Sequence, residues 1–321
     1  VSGDGGETLW CNYPGFTMYY NNPQSGGGGM TLDFPGTGHM WLAPLIADPE
    51  QHNVAYLGGG TVTSGNHIIK LTAENWSISY EQLDQSFVGT ISAMAISPLN
   101  YNYWYVLTET GKFYHSTDAG DSFQMNNNFN GPSPQYFYGS TIEPSPVELG
   151  VVYIGGSGYS NSPVYKSTNH GVNFQTMSTG LPNTLVYQLA ASDGGELLFA
   201  ATEVGPYVYY IYEEEWFDLA GVFAPDQTYW TVDYVPELQT ARFGTYGRGI
   251  WDFVLDDNYN IISGDLNDDD NVNIQDIIIL VNVLIGGWNL TETQMLAGDL
   301  NNDEAIDILD IVQVVNIILG R

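Results

Sequence analysis

The sequence is poor in cysteine and in basic residues. Cys11 is the only cysteine among the 321 residues, so no disulfide can form within the chain. Six lysines and arginines stand against 37 acidic residues, which gives a formal net charge of −31. A charge of this sign and size repels nucleic acid and anionic membrane surfaces. We therefore expect neither of them as a partner.

Long apolar runs are missing as well. The sequence has no run of about 18 apolar residues, the length that a membrane-spanning helix needs, so we expect no membrane span. It opens on Val1-Ser2-Gly3 without a signal peptide, and we expect a processed or partial N-terminus. A lone cysteine suits a secreted bacterial protein that calcium stabilises in place of disulfides. We expect an extracellular or cell-surface location.

An acidic pattern occurs twice near the C-terminal end, and Asp265 of the first copy aligns with Asp299 of the second, 34 residues later. Oxygen-bearing side chains recur at loop positions 1, 3, 5, 9 and 12, and position 7 offers a backbone carbonyl, as Ca²⁺ requires. The predicted ligands are Asp265, Asn267, Asp269, Asn271, Asn273 and Asp276 in the first loop, and Asp299, Asn301, Asp303, Ala305, Asp307 and Asp310 in the second. The sequence therefore predicts two calcium ions.

The loops depart from the EF-hand pattern at two positions. Position 6 is Asp270 or Glu304 where the EF-hand has glycine, and position 12 is aspartate where it has glutamate. An apolar helix is predicted after each loop, over residues 277–285 and 311–319. The paired arrangement resembles a dockerin, the calcium-dependent module that binds a cohesin in cellulosome-type assemblies. The resemblance covers residues 264–321 and implies two Ca²⁺ ions, two antiparallel helices and a docking function.

The two predicted helices contain no lysine or arginine, and loop positions 10 and 11 are Ile274-Gln275 and Ile308-Leu309. Dockerins of the best-known type carry hydroxyl residues at these two positions. A helix that is apolar on nearly all sides is normally covered on nearly all sides. Two such helices cover only part of each other, so a further surface is expected. A cohesin, a neighbouring copy of the chain and the chain's own larger domain are the alternatives.

Residues 1–255 alternate short β-branched and aromatic runs with turn residues. The runs form an internal repeat of about 40–50 residues with four strands per unit, which is typical of a propeller blade. The units begin near Gly38, Gly89, Gly139, Leu185 and Tyr229, and residues 1–36 form the remnant of another. The predicted fold is therefore mainly β, a β-propeller of four-stranded blades whose N-terminal blade is either incomplete or completed by the other end of the propeller. A short linker, 256–263, leads to the small α-helical domain.

Two turns carry a recognisable motif. Residues 116–123 match S-x-D-x-G-x-[ST]-[FW] at every position, and residues 167–174 repeat it in weaker form. The motif resembles the Asp-box of the sialidase-like (BNR) propellers, which include sortilin-type and xyloglucanase-type proteins. We expect Asp118 and Asn169 to bond the turn backbone, which is a structural role.

The residues indicate no catalytic site. Sialidase chemistry needs three arginines on the substrate, and the chain has only Arg242, Arg248 and Arg321, the last of them at the end of the tail. Xyloglucanase-like hydrolysis needs two opposed carboxylates, and the sequence singles out no pair. The five histidines, His39, His52, His67, His115 and His170, show no metal-ligand spacing.

The numerous aromatic residues allow two interpretations. They either fill the interfaces between blades or stack on a glycan. Examples are Tyr101, Tyr103, Trp104, Tyr136 and Tyr138. The interfaces are the favoured interpretation.

Two functions follow as hypotheses. The first is a non-catalytic extracellular assembly or adhesion protein, docked by its tail to a cohesin or to the next subunit of a filament. The filament version depends on a propeller blade that is open to strand addition. The second is a glycoside hydrolase or other polysaccharide-degrading component that its dockerin carries into a complex.

Overall fold

The computed structural model describes residues 1–3, 6–13, 17–22, 29–33, 43–59, 66–129, 131, 139–221, 224–255, 263–267, 269, 271–288, 290, 292–301 and 305–319. The chain divides into two compact units, Val1–Leu255 and Asp256–Arg321.

The first unit contains only β-sheets among its described residues, apart from a short 3₁₀ turn at Pro236–Leu238. Its strands are β1 (Leu9–Tyr13), β2 (Thr17–Asn21), β3 (Gly29–Asp33), β4 (Leu45–Ala47), β5 (Val54–Gly58), β6 (Ile68–Glu74), β7 (Ser77–Gln82), β8 (Ile91–Ile96), β9 (Trp104–Thr108), β10 (Phe113–Ser116), β11 (Gln124–Met125), β12 (Gly139–Pro144), β13 (Val152–Gly156), β14 (Val164–Ser167), β15 (Gln175–Thr176), β16 (Val186–Ala191), β17 (Leu197–Thr202), β18 (Pro206–Tyr210), β19 (Glu215–Asp218), β20 (Tyr229–Val235), β21 (Thr240–Thr245) and β22 (Ile250–Val254).

These strands form six antiparallel sheets in which neighbours in sequence are neighbours in space. Four sheets have four strands each, from β4–β7 to β16–β19, and the sheets β1–β3 and β20–β22 have three. The first strands of successive sheets contact one another: β8 contacts β12, β12 contacts β16, and β16 contacts β20. Blades that meet at their innermost strands form a propeller. The predicted fold class, mainly β with four-stranded blades, is thereby confirmed.

The predicted unit starts near residues 89, 139, 185 and 229 agree with the first residues of β8, β12, β16 and β20. The start predicted near Gly38 lies outside the described residues. Between neighbouring sheets lie separate apolar cores, one of which contains Tyr105, Phe113 and Ile154. Burial of each large side chain contributes about 1.5–3 kcal/mol, so stability is distributed along the row of sheets.

The described residues of the second unit form three helices, α1 (Ile274–Leu284), α2 (Glu292–Gly298) and α3 (Ile308–Ile318). The two predicted helices, at 277–285 and 311–319, correspond to α1 and α3, but both begin earlier than predicted. The short α2 helix lies between them and was not predicted. The α1 and α3 helices begin three residues earlier because Asn273 and Asp307 cap them, each closing a capping box with the aspartate three residues on. The α2 helix is too short to show an apolar period.

The core of this unit is small and is built from both helical repeats. Leu266, Leu280 and Val314 are fully buried in it, and Ile279 is nearly so. Among the described residues, no helix is both long enough and apolar enough to cross a membrane.

Candidate metal centre and docking surface

In the first acidic loop, side-chain oxygens accept hydrogen bonds from the backbone of the same loop. The Asp269 N–H donates to Oδ1 of Asp265 at 3.3 Å and to Oδ1 of Asn267 at 3.2 Å. The Asn271 N–H donates to Oδ1 of Asp269 at 3.0 Å, and the Gln275 N–H donates to Oδ1 of Asn273 at 2.8 Å. These bonds curl the backbone around the oxygen-bearing side chains of positions 1, 3, 5 and 9.

The position-12 aspartates lie at the start of the helices and close the loops. The Asp276 side chain is fully buried, and its two oxygens accept from Leu266 N–H at 2.8 Å and from Asn273 N–H at 2.8 Å. Asp310 is also fully buried and accepts from Leu300 N–H at 3.0 Å and Asp307 N–H at 2.9 Å. Each carboxylate therefore bridges both ends of its own loop.

The second loop repeats this arrangement in the part that the structure describes. Oδ1 of Asp307 accepts from Leu309 N–H at 2.6 Å, as Asn273 does in the first loop. Asp299 and Asn301 are half-buried, and Ala305 is exposed. The predicted ligand Asp303 lies outside the described residues.

Gly264 precedes the first loop and must be glycine for two reasons. Its φ is +98°, and a Cβ at this position would lie 2.9 Å from Cγ1 of Val272. A side chain would be strained and would also press on the loop. The glycine therefore allows the backbone that enters the loop to pass close to Val272 on the opposite side of the loop.

In the propeller, the Asp-box residues do what the sequence predicts. The Ser122 N–H and hydroxyl donate to the two oxygens of Asp118 at 3.0 and 2.6 Å, and the Ser116 hydroxyl donates to the same carboxylate at 2.6 Å. These bonds lower the pKa of Asp118 to about 2. Asn169 accepts in the same way from Asn173 N–H at 2.9 Å. Asp118 and Asn169 have a structural role.

The described aromatic residues singled out from the sequence fall mainly between blades. Trp104 is buried with its ring 4.5 Å from that of Tyr56, and Tyr103 stacks on His170 at 4.2 Å. Tyr101 is partly exposed. Tyr136 and Tyr138 lie outside the described residues. Arg242 is bound to Asp252 by two hydrogen bonds of 2.7 Å, so it is engaged within the sheet.

The innermost strands carry a repeated irregularity that the sequence analysis missed. In β8, β12, β16 and β20 the pairing shifts by one residue after the first position. The extra residues are Ser92, Ser140, Tyr187 and Trp230. Such bulges re-aim side chains, and the rings of Tyr187 and Trp230 lie 4.4 Å apart at the starts of neighbouring innermost strands. The sequence gives no sign of this pair, which forms only because the two strands lie side by side.

Further polar and aromatic residues join the Tyr187–Trp230 pair at this rim. The ring of Tyr246, largely exposed, lies 6.2 Å from that of Trp230. The Tyr246 N–H donates to the Thr228 carbonyl, and the Thr228 hydroxyl donates to the Glu203 carbonyl. The Tyr159 hydroxyl donates to the Glu203 carboxylate. We call Tyr159, Tyr187, Glu203, Trp230 and Tyr246 the rim cluster.

The described C-terminal geometry combines two capped acidic loops with two apolar helices. Residues 263–319 match the family model of the dockerin type I domain. The resemblance of the C-terminal segment to a dockerin is thereby confirmed. Dockerin type I domains bind calcium, and a dockerin indicates a cohesin as partner.

The propeller is similar to solved structures of GH74 enzymes. The GH74 enzyme of Niastella koreensis superposes with a TM-score of 0.62 at 17% identity, over 79% of this chain and 42% of that one. An ancestral GH74 enzyme gives 0.57 at 17% identity, over 80% and 38%. The GH74 xyloglucanase of Xanthomonas campestris gives 0.59 at 12% identity, over 80% and 45%.

At these identities the likeness shows the β-propeller fold alone. The chain spans less than half the length of the GH74 structures that it matches. No curated protein matches the chain.

The residues of the dockerin loops fit a hard cation. Asp276 and Asp310 are fully buried, and the sequence of residues 263–319 contains no lysine or arginine. Buried charge is costly unless an opposite charge compensates it. Within the described residues, no three carboxylate, imidazole or thiol groups converge; amide and backbone oxygens complete the predicted set. An all-oxygen set of this kind suits Ca²⁺.

The first turns of α1 and α3 present apolar side chains to solvent. Ile274 and Ile278 are exposed by 68% and 55%, and Ile308, Leu309 and Val312 by 62%, 54% and 51%. We call Ile274, Gln275 and Ile278 the first face, and Ile308, Leu309 and Val312 the second face. Further exposed apolar residues lie later in these two helices or just after them, at Val281, Leu284, Ile285, Trp288, Ile317, Ile318 and Leu319. The expected need for a covering surface therefore stands.

Proposed function

We propose that this chain is an extracellular, non-catalytic component of a multiprotein assembly, which its calcium-loaded dockerin joins by binding a cohesin. The observation that carries the proposal is the pair of capped acidic loops, each followed at once by an exposed apolar turn. Closing a loop around a cation orders the first turn of the helix after it. Calcium would in this way prepare the surface that binds the partner.

We further propose two calcium ions. In the first loop Asp265, Asn267, Asp269, Asn273 and Asp276 would supply side-chain oxygens, and Asn271 would supply its carbonyl. In the second loop the ligands would be Asp299, Asn301, Asp303, Asp307 and Asp310, with the carbonyl of Ala305. The buried Asp276 and Asp310 support this proposal because each still has lone pairs beyond those that accept backbone N–H groups.

The test is binding of the full chain to recombinant type I cohesin domains in calcium and after chelation. We expect binding in calcium and none in excess EDTA. The double variant Asp265→Ala, Asp299→Ala should behave in calcium as the wild type does in EDTA, because the remaining carboxylates then repel one another. A double variant that binds as the wild type does would contradict the proposed ligands.

The size of the chain in calcium without cohesin completes this test. A monomer that becomes a one-to-one complex on adding cohesin supports docking to a foreign partner. Large ordered particles that disperse on chelation would instead indicate that the tail binds a second copy of the chain, as the filament hypothesis states.

A second candidate function is a polysaccharide-acting component carried by its dockerin. The propeller fold shared with GH74 enzymes favours it, and so does the rim cluster, because exposed aromatic rings beside a carboxylate suit stacking on sugars. Release of reducing sugar from xyloglucan or other plant and algal polysaccharides would support this candidate. We expect no release, because the sequence singles out no pair of opposed carboxylates.

A further inference from the structure

We propose that the cavities along the innermost strands of the propeller bind a small aliphatic ammonium ion through the carboxylate of Glu143. This inference goes beyond the proposed function and does not depend on it, because Glu143 and the dockerin belong to different units of the chain. The proposed site combines a pair of cavities, a carboxylate oxygen without a partner and apolar walls.

Two adjacent cavities, of about 500 and 380 Å³, lie along the first strands of four successive sheets, β4, β8, β12 and β16. They share four wall residues, Ile46, Met94, Ile142 and Glu143, so Glu143 lies where the two cavities meet. Cavities of this size hold small ligands, and small-molecule sites usually have apolar walls with a few polar groups. Glu143 is a polar group of this kind among apolar neighbours.

The Glu143 carboxylate is held by one oxygen and free at the other. Its Oε1 accepts from the Ala191 N–H of β16 at 3.2 Å. Two residues earlier on β12, the Thr141 hydroxyl accepts from the Leu189 N–H at 3.2 Å. These bonds hold the side chains of β12 against β16. Among the described residues, Oε2 of Glu143 has no hydrogen-bond partner, so it can accept from the N–H groups of a ligand.

No described lysine or arginine forms an ion pair with Glu143. Arg242, on the neighbouring sheet, is bound to Asp252. Val1 lines the smaller cavity, but its amino group donates to the Trp10 carbonyl at 2.7 Å. Burial therefore raises the pKa of Glu143 to about 8. A titratable group perturbed in this way inside a cavity marks a candidate binding site.

The charge of the chain and the apolar walls indicate which ligand fits. The net charge of −31 concentrates cations in clefts of the surface. A second carboxylate, that of Asp233 on β20, is close enough to raise the pKa of Glu143 further. The apolar walls suit a hydrocarbon chain, whereas a hard divalent cation needs six or more oxygen ligands. An aliphatic primary amine satisfies the carboxylate and the walls together.

Binding should release a proton. At neutral pH the amine is already charged, because ordinary aliphatic amines have a pKa of about 10, whereas Glu143 still holds its proton. Binding ionises Glu143 and passes this proton to the buffer. The apparent affinity follows the ionised fraction of Glu143, so it should rise about tenfold from pH 6 to 7 and level off above about pH 8. The Tyr153 phenol opposite Glu143 takes no part, because burial raises its pKa to about 12.

The test is calorimetric titration of the calcium-loaded full chain with hexylamine, in two buffers of different ionisation enthalpy. At pH 7 we expect release of about one proton for each amine bound. Hexanol has the same hydrocarbon chain without the charge and should bind about tenfold more weakly or not at all. Glu143→Gln should weaken hexylamine binding by a similar factor. Glu148→Gln, a change at an exposed glutamate in the turn after β12, should leave it unchanged.

The Glu143→Gln variant keeps an acceptor for the Ala191 N–H, and circular dichroism checks that it folds. The proton release and the comparison with hexanol use the wild-type chain alone, so the test does not depend on any variant. Hexylamine that binds Glu143→Gln as tightly as the wild type, hexanol that binds as tightly as hexylamine, or binding without proton release at pH 7 would each overturn the site. Wild-type chain that binds no hexylamine at pH 8 would overturn it as well.

Discussion

At the scale of single residues, Glu143 on the innermost strand β12 has an unusual environment for a carboxylate. Its carboxylate accepts from the Ala191 N–H of the neighbouring blade at 3.2 Å. It also lines two cavities of about 500 and 380 Å³ along the innermost strands. Burial raises the pKa of Glu143 to about 8; the Ala191 bond opposes this shift, and the Asp233 carboxylate adds to it. A protonated carboxyl therefore joins these two blades at neutral pH.

Glu143 should make the propeller less stable as the pH rises. Its ordinary pKa is 4.5, so the folded chain holds the proton more tightly than the unfolded chain does. The stability it contributes is complete below about pH 4.5 and is lost as the pH rises towards about 8. Glu143→Gln keeps a neutral acceptor for Ala191 and should be more stable than the wild type by about 5 kcal/mol at pH 9. The two should be equal at pH 4.

Denaturant unfolding of both proteins across this range measures the difference. Glu148→Gln, a change at an exposed glutamate in the turn after β12, serves as the control and should follow the wild type at every pH. A Glu143→Gln variant whose stability runs parallel to the wild type from pH 4 to 9 would show that the carboxyl is ionised in the folded chain.

At the scale of elements, the sequence predicts what local chemistry decides. Strands such as Val54–Gly58 and Leu197–Thr202 were recognisable because short β-branched and aromatic runs stand between turn residues. The Asp-box turn at Ser116–Phe123 was recognisable because its hydrogen bonds join residues at most four apart. The ligand positions of the acidic loops follow from spacing in the same way.

What the sequence could not predict depends on neighbours far along the chain. The pKa of Glu143 is raised by burial against a neighbouring blade, whose Ala191 lies 48 residues further along the chain. The Tyr187–Trp230 pair exists because two bulged strands of successive sheets lie side by side. The early starts of α1 and α3 are an intermediate case, since Asn273 and Asp307 are ordinary cap residues. Their spacing predicts calcium ligands, and the same side-chain oxygens cap the helices.

At the scale of the whole molecule, the two units owe their stability to different forces. The propeller has extended apolar cores between its sheets, with fully buried side chains such as Trp10, Phe113 and Phe243. The dockerin has a small core around Leu280 and Val314 and a high density of carboxylates. Small domains with so little buried surface usually need a metal or another cross-link. Calcium should therefore stabilise one unit and not the other.

Scanning calorimetry of the full chain should accordingly show two transitions in calcium, of which only one depends on the ion. Excess EDTA should remove the transition of the dockerin, because its uncompensated aspartates repel one another. It should leave the propeller transition in place. The double variant Asp265→Ala, Asp299→Ala in calcium should reproduce the EDTA trace. An EDTA trace that lowers both transitions together would place calcium in the propeller as well, and a trace unchanged by EDTA would show that the acidic loops fold without metal.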